Sequence, residues 1–505
     1  MRPISHFSAL MRQLSLILLL LLPLFLHAQW PIGSPKREMR AVWLTTLSGL
    51  DWPRQQGTTP AVVERQKQEL RAIFDTLSAA HFNTIVLQVR VRATVIYPSR
   101  IEPWDGCFSG RVGQAAGFDP LAFAIEEAHK RGLQLHAWLV AVPGESAKTA
   151  KALGERAMCR RVPDLCLRTS EGWMLNPGAP QTAAYLGALC AEITRNYDID
   201  GISLDYIRYP EKEIRYSDMP TYYRYCGENR PLSQWRRENL NRCVEAVHDS
   251  VKALKPWVVV SCSPVGKYAD TRRYSSGGWN AYAAVYQDAR LWLQKGWMDM
   301  LMPMMYFRGN HYYPFAMDWA EQAPPLSIAT GLGAYMLDSR QRDWPLQDIE
   351  QEIHFSRQHA LGGQVFFRSR FVTDNTKGLL TLLKDFLYRE PALVPAVRVK
   401  ADSVCAPTDA KLVETPTATV FSWRPVAGCT YILYRSGTYP VDTSSSANII
   451  ATNLADTTYT LPVPMPRAWL PYYSVTAIDR YGHESAPLPL NAPIQSPKPL
   501  VRPAK

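Results

Sequence analysis

Eight short apolar runs rich in β-branched residues recur between Met39 and Ser369, each followed by a longer segment of mixed polarity. The runs are Met39–Thr46, Asn83–Arg90, Gln134–Ala141, Gly201–Ile207, Val258–Pro264, Met298–Tyr306, Ser327–Tyr335 and Gly363–Ser369. Between them, Ala61–Ala80, Pro120–Arg131, Gln181–Tyr197 and Trp235–Lys255 read as helices. Strand and helix in regular alternation predict an α/β fold, a (β/α)₈ TIM barrel over residues 36–390. Near-continuous apolar strands fit a parallel sheet covered on both faces. An open doubly wound sheet is the competing architecture, and the lack of a Gly-rich dinucleotide turn after the first run counts against it. The region exceeds the roughly 250 residues of an ordinary barrel. Its excess lies after strands, in Tyr97–Gly117, Pro143–Ala179 and Pro210–Leu232, at the end where barrel enzymes build their sites.

Past Pro391 and Pro395 the pattern changes to short alternating strands, Thr419–Trp423, Tyr431–Arg435, Thr458–Leu461 and Tyr472–Asp479, with turn residues between them. This predicts a small all-β antiparallel sandwich over residues 396–490. Trp423, the Tyr431-Ile432-Leu433-Tyr434 strand and Tyr473-Ser474-Val475-Thr476-Ala477 resemble a fibronectin type III module. Residues 491–505 form a Pro-rich tail expected to be disordered.

At the other end, Arg2 and Arg12 precede an apolar run from Leu14 to Leu26, and small Ala28 stands at a cleavage position. This is the layout of a secretory signal peptide over residues 1–28, with an uncleaved anchor as the bland alternative. The expected localisation is periplasmic or secreted, with no membrane span after cleavage. Removing that segment lowers the formal charge from +11 to +9, since it holds two arginines and no acid. A mildly basic exported protein suits acidic envelope polymers, and the lack of a dense Lys/Arg tract argues against nucleic acid as a partner. None of the nine cysteines forms a CxxC pair, so neither a metal site of that kind nor any cofactor is expected. In an oxidising compartment Cys159 with Cys166 and Cys405 with Cys429 are the expected pairs.

Candidate chemistry concentrates at the C-terminal ends of the strands. In Asp200-Gly201-Ile202-Ser203-Leu204-Asp205-Tyr206-Ile207-Arg208, period-two alternation puts Ser203, Asp205 and Ile207 on one face and Ile202, Leu204 and Tyr206 on the other. A carboxylate late in a buried strand needs a partner or a job. Asp205 is therefore either an acid paired with a barrel arginine or a catalytic acid or base, and the second reading is preferred. Arg90, Tyr97, His136, Trp138, Asn176, Tyr206, Arg208, Tyr306 and Arg368 stand at or near the same mouth and are the expected substrate-binding residues. The bland reading of His136 is a satisfied core histidine, and that of Arg90 is an internal counter-ion. Glycosidic hydrolysis takes two carboxyl groups. Glu145, Asp338 and Asp51 all follow strands at the correct end, with Glu145 favoured as the second catalytic residue.

The barrel also resembles the glycosyl-hydrolase-like 10 family, or DUF187, through Arg37-Glu38-Met39-Arg40-Ala41-Val42-Trp43-Leu44, Asp51-Trp52-Pro53, Gln88-Val89-Arg90 and Phe118-Asp119-Pro120-Leu121. The likeness continues through Glu127-Ala128-His129-Lys130-Arg131-Gly132, His136-Ala137-Trp138, Leu175-Asn176-Pro177-Gly178, the Asp200 to Pro210 segment and Trp235-Arg236-Arg237-Glu238-Asn239. It implies an exported bacterial barrel acting on peptidoglycan glycan strands. The chain departs from many relatives in lacking a lipobox cysteine and in reading Val142-Pro143-Gly144 where they carry Asn-Pro-Tyr. It departs from the chitinase-like motif too, with Ile207 at the position of the acid Glu. Three functions are weighed: an exported glycoside hydrolase on a cell-envelope glycan, a non-catalytic glycan-binding barrel, and a metal-dependent deacetylase resting only on His136 and Asp205. The first is expected, with polysaccharide or peptidoglycan glycan as partner.

Overall fold

Every predicted barrel run contributes a strand to one sheet. In the computed structural model these are β1 (Met39–Leu44), β2 (Thr84–Val91), β3 (Gln134–Val140), β4 (Gly201–Asp205), β5 (Val259–Ser263), β6 (Met300–Leu301), β7 (Ala329–Leu332) and β8 (Gly363–Phe367). The structure describes residues 33–227, 230–273, 279–397, 403–415, 417–462 and 471–493. The predicted export signal and most of the Pro-rich tail lie outside them. Hydrogen-bonded neighbours run from β7 through β8, β1, β2, β3, β4 and β5 to β6, every pair parallel. Isolated parallel bridges, Leu301 to Ile328 and Met304 to Gly331, join β6 back to β7 and close the barrel. The sixth strand is far shorter than its apolar run because Pro303 has no N–H to give to a ladder.

The principal helices match their predicted segments: α1 (Pro60–Ser78), α2 (Pro120–His129), α3 (Gln181–Asn196) and α4 (Leu232–Lys252). Pro60 and Pro120 stand at first helical positions, where a missing N–H costs nothing. The Asp119 carboxylate caps α2 by accepting the Ala122 N–H at 3.0 Å. Leu70, Phe74 and Leu77 of α1, and Leu240, Val244, Val247 and Val251 of α4, repeat at three- and four-residue spacing and are buried. They pack on the outward side chains of the strands, Ile202 and Leu204 among them. Inward side chains fill the barrel axis as a separate cluster that includes Met39, Ala41, Trp43, Val86, Trp138 and Val365.

Beyond the barrel, Thr408–Glu414, Ala418–Arg424 and Thr458–Pro462 form a three-stranded antiparallel sheet. Thr430–Ser436, Ile449–Leu454, Tyr472–Ile478 and Leu488–Pro489 form a four-stranded antiparallel one. Phe421, Trp423, Tyr431, Leu433, Tyr473 and Val475 form the core between them. This small domain docks at the N-terminal ends of the barrel strands. Asn453 donates to the Gly132 carbonyl at 2.7 Å, Arg480 pairs with Asp198 at 2.5 Å and Tyr481 meets Trp257 edge-on. Gly132, Asp198 and Trp257 each stand just before a strand, so the sandwich lies at the opposite end of the barrel from the Asp205 mouth. All nine cysteines are free thiols, so neither expected pairing is formed. No helix among the described residues is long and apolar enough to cross a membrane.

Candidate active site

The β4 segment reaches the mouth as the alternation requires, up to Asp205. Register pairs Asp205 with Val140 on β3 and with Ser263 on β5, so its carboxylate stands between the ends of three strands. One oxygen accepts the Tyr206 N–H at 2.8 Å and the Ser263 hydroxyl at 3.0 Å; the other accepts the Trp138 indole N–H at 3.2 Å. Only 6% of the residue is exposed. Burial pushes the carboxyl above its ordinary value, while the nearby Arg208 guanidinium and the three donors oppose the rise. No arginine or lysine pairs directly with Asp205 among the described residues.

The strand ends at Asp205, and there the expected alternation breaks. Tyr206 takes a φ of 50°, which turns its ring outward until it is 37% exposed. Ile207 joins the helix-facing core rather than the inner face assigned to it. Arg208 lies under the Tyr206 ring at 4.3 Å and pairs with Glu211 at 2.6 Å. Its Nε and Nη1 are buried without a partner. Tyr306 closes another side, stacked on Phe367 at 5.5 Å and edge-on to Tyr335 at 5.8 Å. Burial and the Asp205 charge push its phenol well above the usual value.

The remaining candidates divide by depth and by partner. Trp138 is at the site through its bond to Asp205. His136 is not: it registers with Gly201, four residues before Asp205, about 13 Å lower at roughly 3.3 Å per residue. A Cβ on Gly201 would meet the imidazole at 2.6 Å, so that glycine makes room for it. Burial lowers the His136 pKa to about 4, leaving a neutral core ring. Arg90 is fully buried, held by Glu102 at 2.7 and 2.8 Å and donating to the carbonyls of Val140 and Ala141. Tyr97 is likewise sealed in the core, edge-on to Tyr197 at 5.8 Å. Asn176 braces a turn, accepting the Gly178 N–H at 3.1 Å and donating to Thr221 at 2.8 Å. Arg368 is bound to Asp51 and to the Leu50 carbonyl.

Among the acids considered for a second role, Asp51 is thus tied to Arg368. Asp338 is tied to Arg340, which lowers its pKa to about 2. Glu145 differs. It is 1% exposed, accepts the Cys159 N–H at 2.9 Å with one oxygen, and leaves the other without a partner. The hairpin of Cys166–Thr169 and Gly172–Leu175 comes close enough to it that a Cβ on Gly172 would meet the Glu145 carbonyl oxygen at 2.5 Å. Two cavities of about 260 and 280 Å³ open here. The first is bordered by Tyr206, Arg208 and Trp173, the second by Glu145, Asp105 and Thr94, and Arg92 and Ser146 border both.

Ser263, Glu102 and Arg92 were not among the sequence candidates. Ser263 was within reach, because inward alternation along β5 puts it level with Asp205. Glu102 carries no such signal, since its pairing is set by a loop. Among the described residues, no group of three or more His, Cys, Asp or Glu side chains could hold a metal ion. The arrangement offers a buried acid able to carry a proton, beside an aromatic and arginine-lined groove of the kind that holds a sugar chain.

A family model described as Glycosyl hydrolase-like 10 matches residues 38–344. The Glycosyl hydrolase YngK of Bacillus subtilis (strain 168) is 31% identical over 379 residues, 71% of this chain and 73% of that protein. The Glycosyl hydrolase DigH of Escherichia coli (strain K12) is 31% identical over 319 residues, 59% of this chain and 73% of that protein. Among solved structures, the PgaB (BpsB) glycoside hydrolase domain from Bordetella bronchiseptica aligns with a TM-score of 0.48 at 14% identity, covering 68% of this chain and 98% of that one.

Proposed function

Because the chain belongs to the glycosyl-hydrolase-like 10 family, we propose that it is an exported hydrolase of O-glycosidic bonds in a cell-envelope glycan, with peptidoglycan strands as the favoured substrate. The observation that carries this reading is Asp205: a buried carboxyl at a barrel mouth, raised by burial, held by three donors and by no direct cation. A carboxyl whose proton burial helps to retain can deliver it to the glycosidic oxygen as the C1–O bond breaks. Water then adds to the anomeric carbon and its proton passes to a carboxylate. Glu145 is the second acid proposed, since it borders the adjoining cavity and carries no cation. Trp138 and Ser263 position Asp205, while Tyr206, Arg208 and Tyr306 line the sugar's path.

One observation favours the non-catalytic alternative: Asp51, Asp338 and Glu211 are each engaged by an arginine. A single assay separates the two. The purified chain is incubated with peptide-free peptidoglycan strands in ¹⁸O-labelled water, and released fragments are read by mass spectrometry. A hydrolase yields shorter chains with the label at new reducing ends. Strands that bind but stay intact would leave the binding protein.

A further inference from the structure

We propose that Arg92, together with Arg208, forms an anion subsite beside Asp205 that reads a carboxylate carried by the sugar chain. The inference rests on the glycan reading above and deepens it by naming what distinguishes the substrate. The chemistry required is a carboxyl-bearing sugar, either a muramic acid with its lactyl group or a uronic acid.

Arg92 stands at the junction of the two cavities and borders both. It is exposed, and no ion pair or side-chain hydrogen bond engages its guanidinium among the described residues. Its backbone is unusual. Arg90 pairs with Val95 and Val91 with Thr94, so Arg92 and Ala93 are the two central residues of a tight hairpin. Their φ values are 48° and 66°. Glycine or asparagine ordinarily fills such positions, because a Cβ makes this conformation unfavourable. An arginine kept there against that cost, at the rim of a cleft, is the kind of local strain that accompanies a functional side chain.

Arg208 supplies the other half. Only 3% of it is exposed, Glu211 takes one end of the guanidinium, and Nε and Nη1 are left without acceptors in a place where donors are normally satisfied. Its charge lies between the Tyr206 ring at 4.3 Å and the Trp279 ring at 5.4 Å. Burial and the Asp205 charge raise the Tyr206 phenol, and Arg208 and Arg92 oppose the rise. Arg92, Arg208 and the exposed Tyr206 ring border one cavity. Sugar C–H faces stack on such rings, and a charged substituent on the stacked sugar would meet a guanidinium. Four acids share the walls with this pair, Glu145 among them, and none of them engages Arg92. Glu211 already has Arg208, and Asp105 is held by the Thr94 hydroxyl and the Cys107 N–H. Glu171 borders the first cavity with its side chain exposed to water.

The test measures binding by the full chain carrying Asp205→Asn, so that cleavage does not consume the probe. Four probes are titrated calorimetrically: peptide-free peptidoglycan oligosaccharides, the same chains with their carboxyls methyl-esterified, chitooligosaccharides of equal length, and oligogalacturonate. The carboxylate-bearing peptidoglycan chain is expected to bind at least tenfold more tightly than its ester. That ratio is expected to fall towards one in Arg92→Gln, with a shallower salt dependence. Arg92→Gly, which relieves the strained turn, should lose the same selectivity while raising the melting temperature, so loss of fold cannot explain the result. Preference for oligogalacturonate over the peptidoglycan chain would assign the subsite to uronic acids instead. Equal affinity for charged and esterified chains, or a ratio that survives both Arg92→Gln and Arg208→Gln, would overturn the proposal. Selective binding without cleavage by the unsubstituted chain would instead overturn the hydrolase reading and leave the subsite standing.

Discussion

Replacing Asp205 by Asn separates chemistry from architecture, because the two consequences differ in size. The amide keeps the shape of the carboxyl and can keep one oxygen facing the Tyr206 N–H and the Ser263 hydroxyl, at 2.8 and 3.0 Å. It loses the acceptor for the Trp138 indole N–H, 3.2 Å away, a loss worth about 1 kcal/mol. Against that stands a gain. Burial holds the folded carboxyl above the ordinary aspartate value of 3.8, so as pH rises past that value the unfolded chain sheds its proton first and the native state loses stability. Asn removes this cost, and the folded state should change by no more than about 1 kcal/mol in either direction at neutral pH. Activity should respond far more. Proton transfer from a positioned side chain contributes about 10²–10⁴-fold, or roughly 2.7 to 5.4 kcal/mol of barrier at 1.36 kcal/mol per decade. The assay is release of reducing ends from peptide-free peptidoglycan strands, run beside urea denaturation of both proteins. A hundredfold or greater loss of rate in a folded Asn variant is expected. Equal rates in the two proteins, or a rate loss matched by an equal loss of stability, would show that Asp205 takes no part in the chemistry.

The other expectations concern the residues around it. Glu102→Ala leaves the fully buried Arg90 without its carboxylate and should cost about 3–5 kcal/mol in denaturant unfolding, with much of it recovered in Glu102→Ala/Arg90→Met; a cost under 1 kcal/mol would return Arg90 to the list of substrate contacts. Trp138→Phe removes one donor to the charged form of Asp205, so the limb of the pH–rate profile belonging to that carboxyl should move to higher pH, and an unmoved profile would mean the bond does not tune it. His136, with its pKa lowered to about 4 by burial, refuses a proton that the unfolded chain accepts near 6.5. Its contribution is complete above that pH and lost as pH falls towards 4, on the order of 3 kcal/mol in all, and His136→Gln should flatten that part of the stability curve.

The fold was legible because a parallel barrel writes itself into sequence twice. Strands covered on both faces must be nearly all apolar, and the helices that cover them must carry one apolar stripe each. The misreadings occur where a single residue overrides the pattern. Pro303 shortens β6, and the left-handed Tyr206 reverses the faces of everything after Asp205, sending Ile207 outward. The strands Thr408–Glu414 and Ile449–Leu454 were missed for another reason: both are largely exposed or half-exposed, so they lack the apolar alternation that marks a strand. The hairpin at Arg92 and Ala93 was invisible because neither residue is one that such a turn normally selects.

Depth and pairing are what sequence cannot supply for the site. Strand-end position put Arg90, His136 and Asp205 in one set, yet their neighbours assign them three different states: a locked ion pair, a neutral core ring and an acid at the mouth with no directly paired cation. The loop acids divide by pairing in the same way. Asp51 is engaged by Arg368, 317 residues away in the chain, and Asp338 by Arg340, two residues away, so no rule of spacing predicts which acids find a cation. Arg340 holds Asp338 low and therefore ionised, whereas at Asp51 burial outweighs Arg368 and raises the carboxyl. Glu145, met by the backbone N–H and the thiol of Cys159 and with one oxygen unengaged, is the loop acid to which no guanidinium is bound. Its claim to the second role therefore comes from the partners it lacks, a property that only the folded chain possesses.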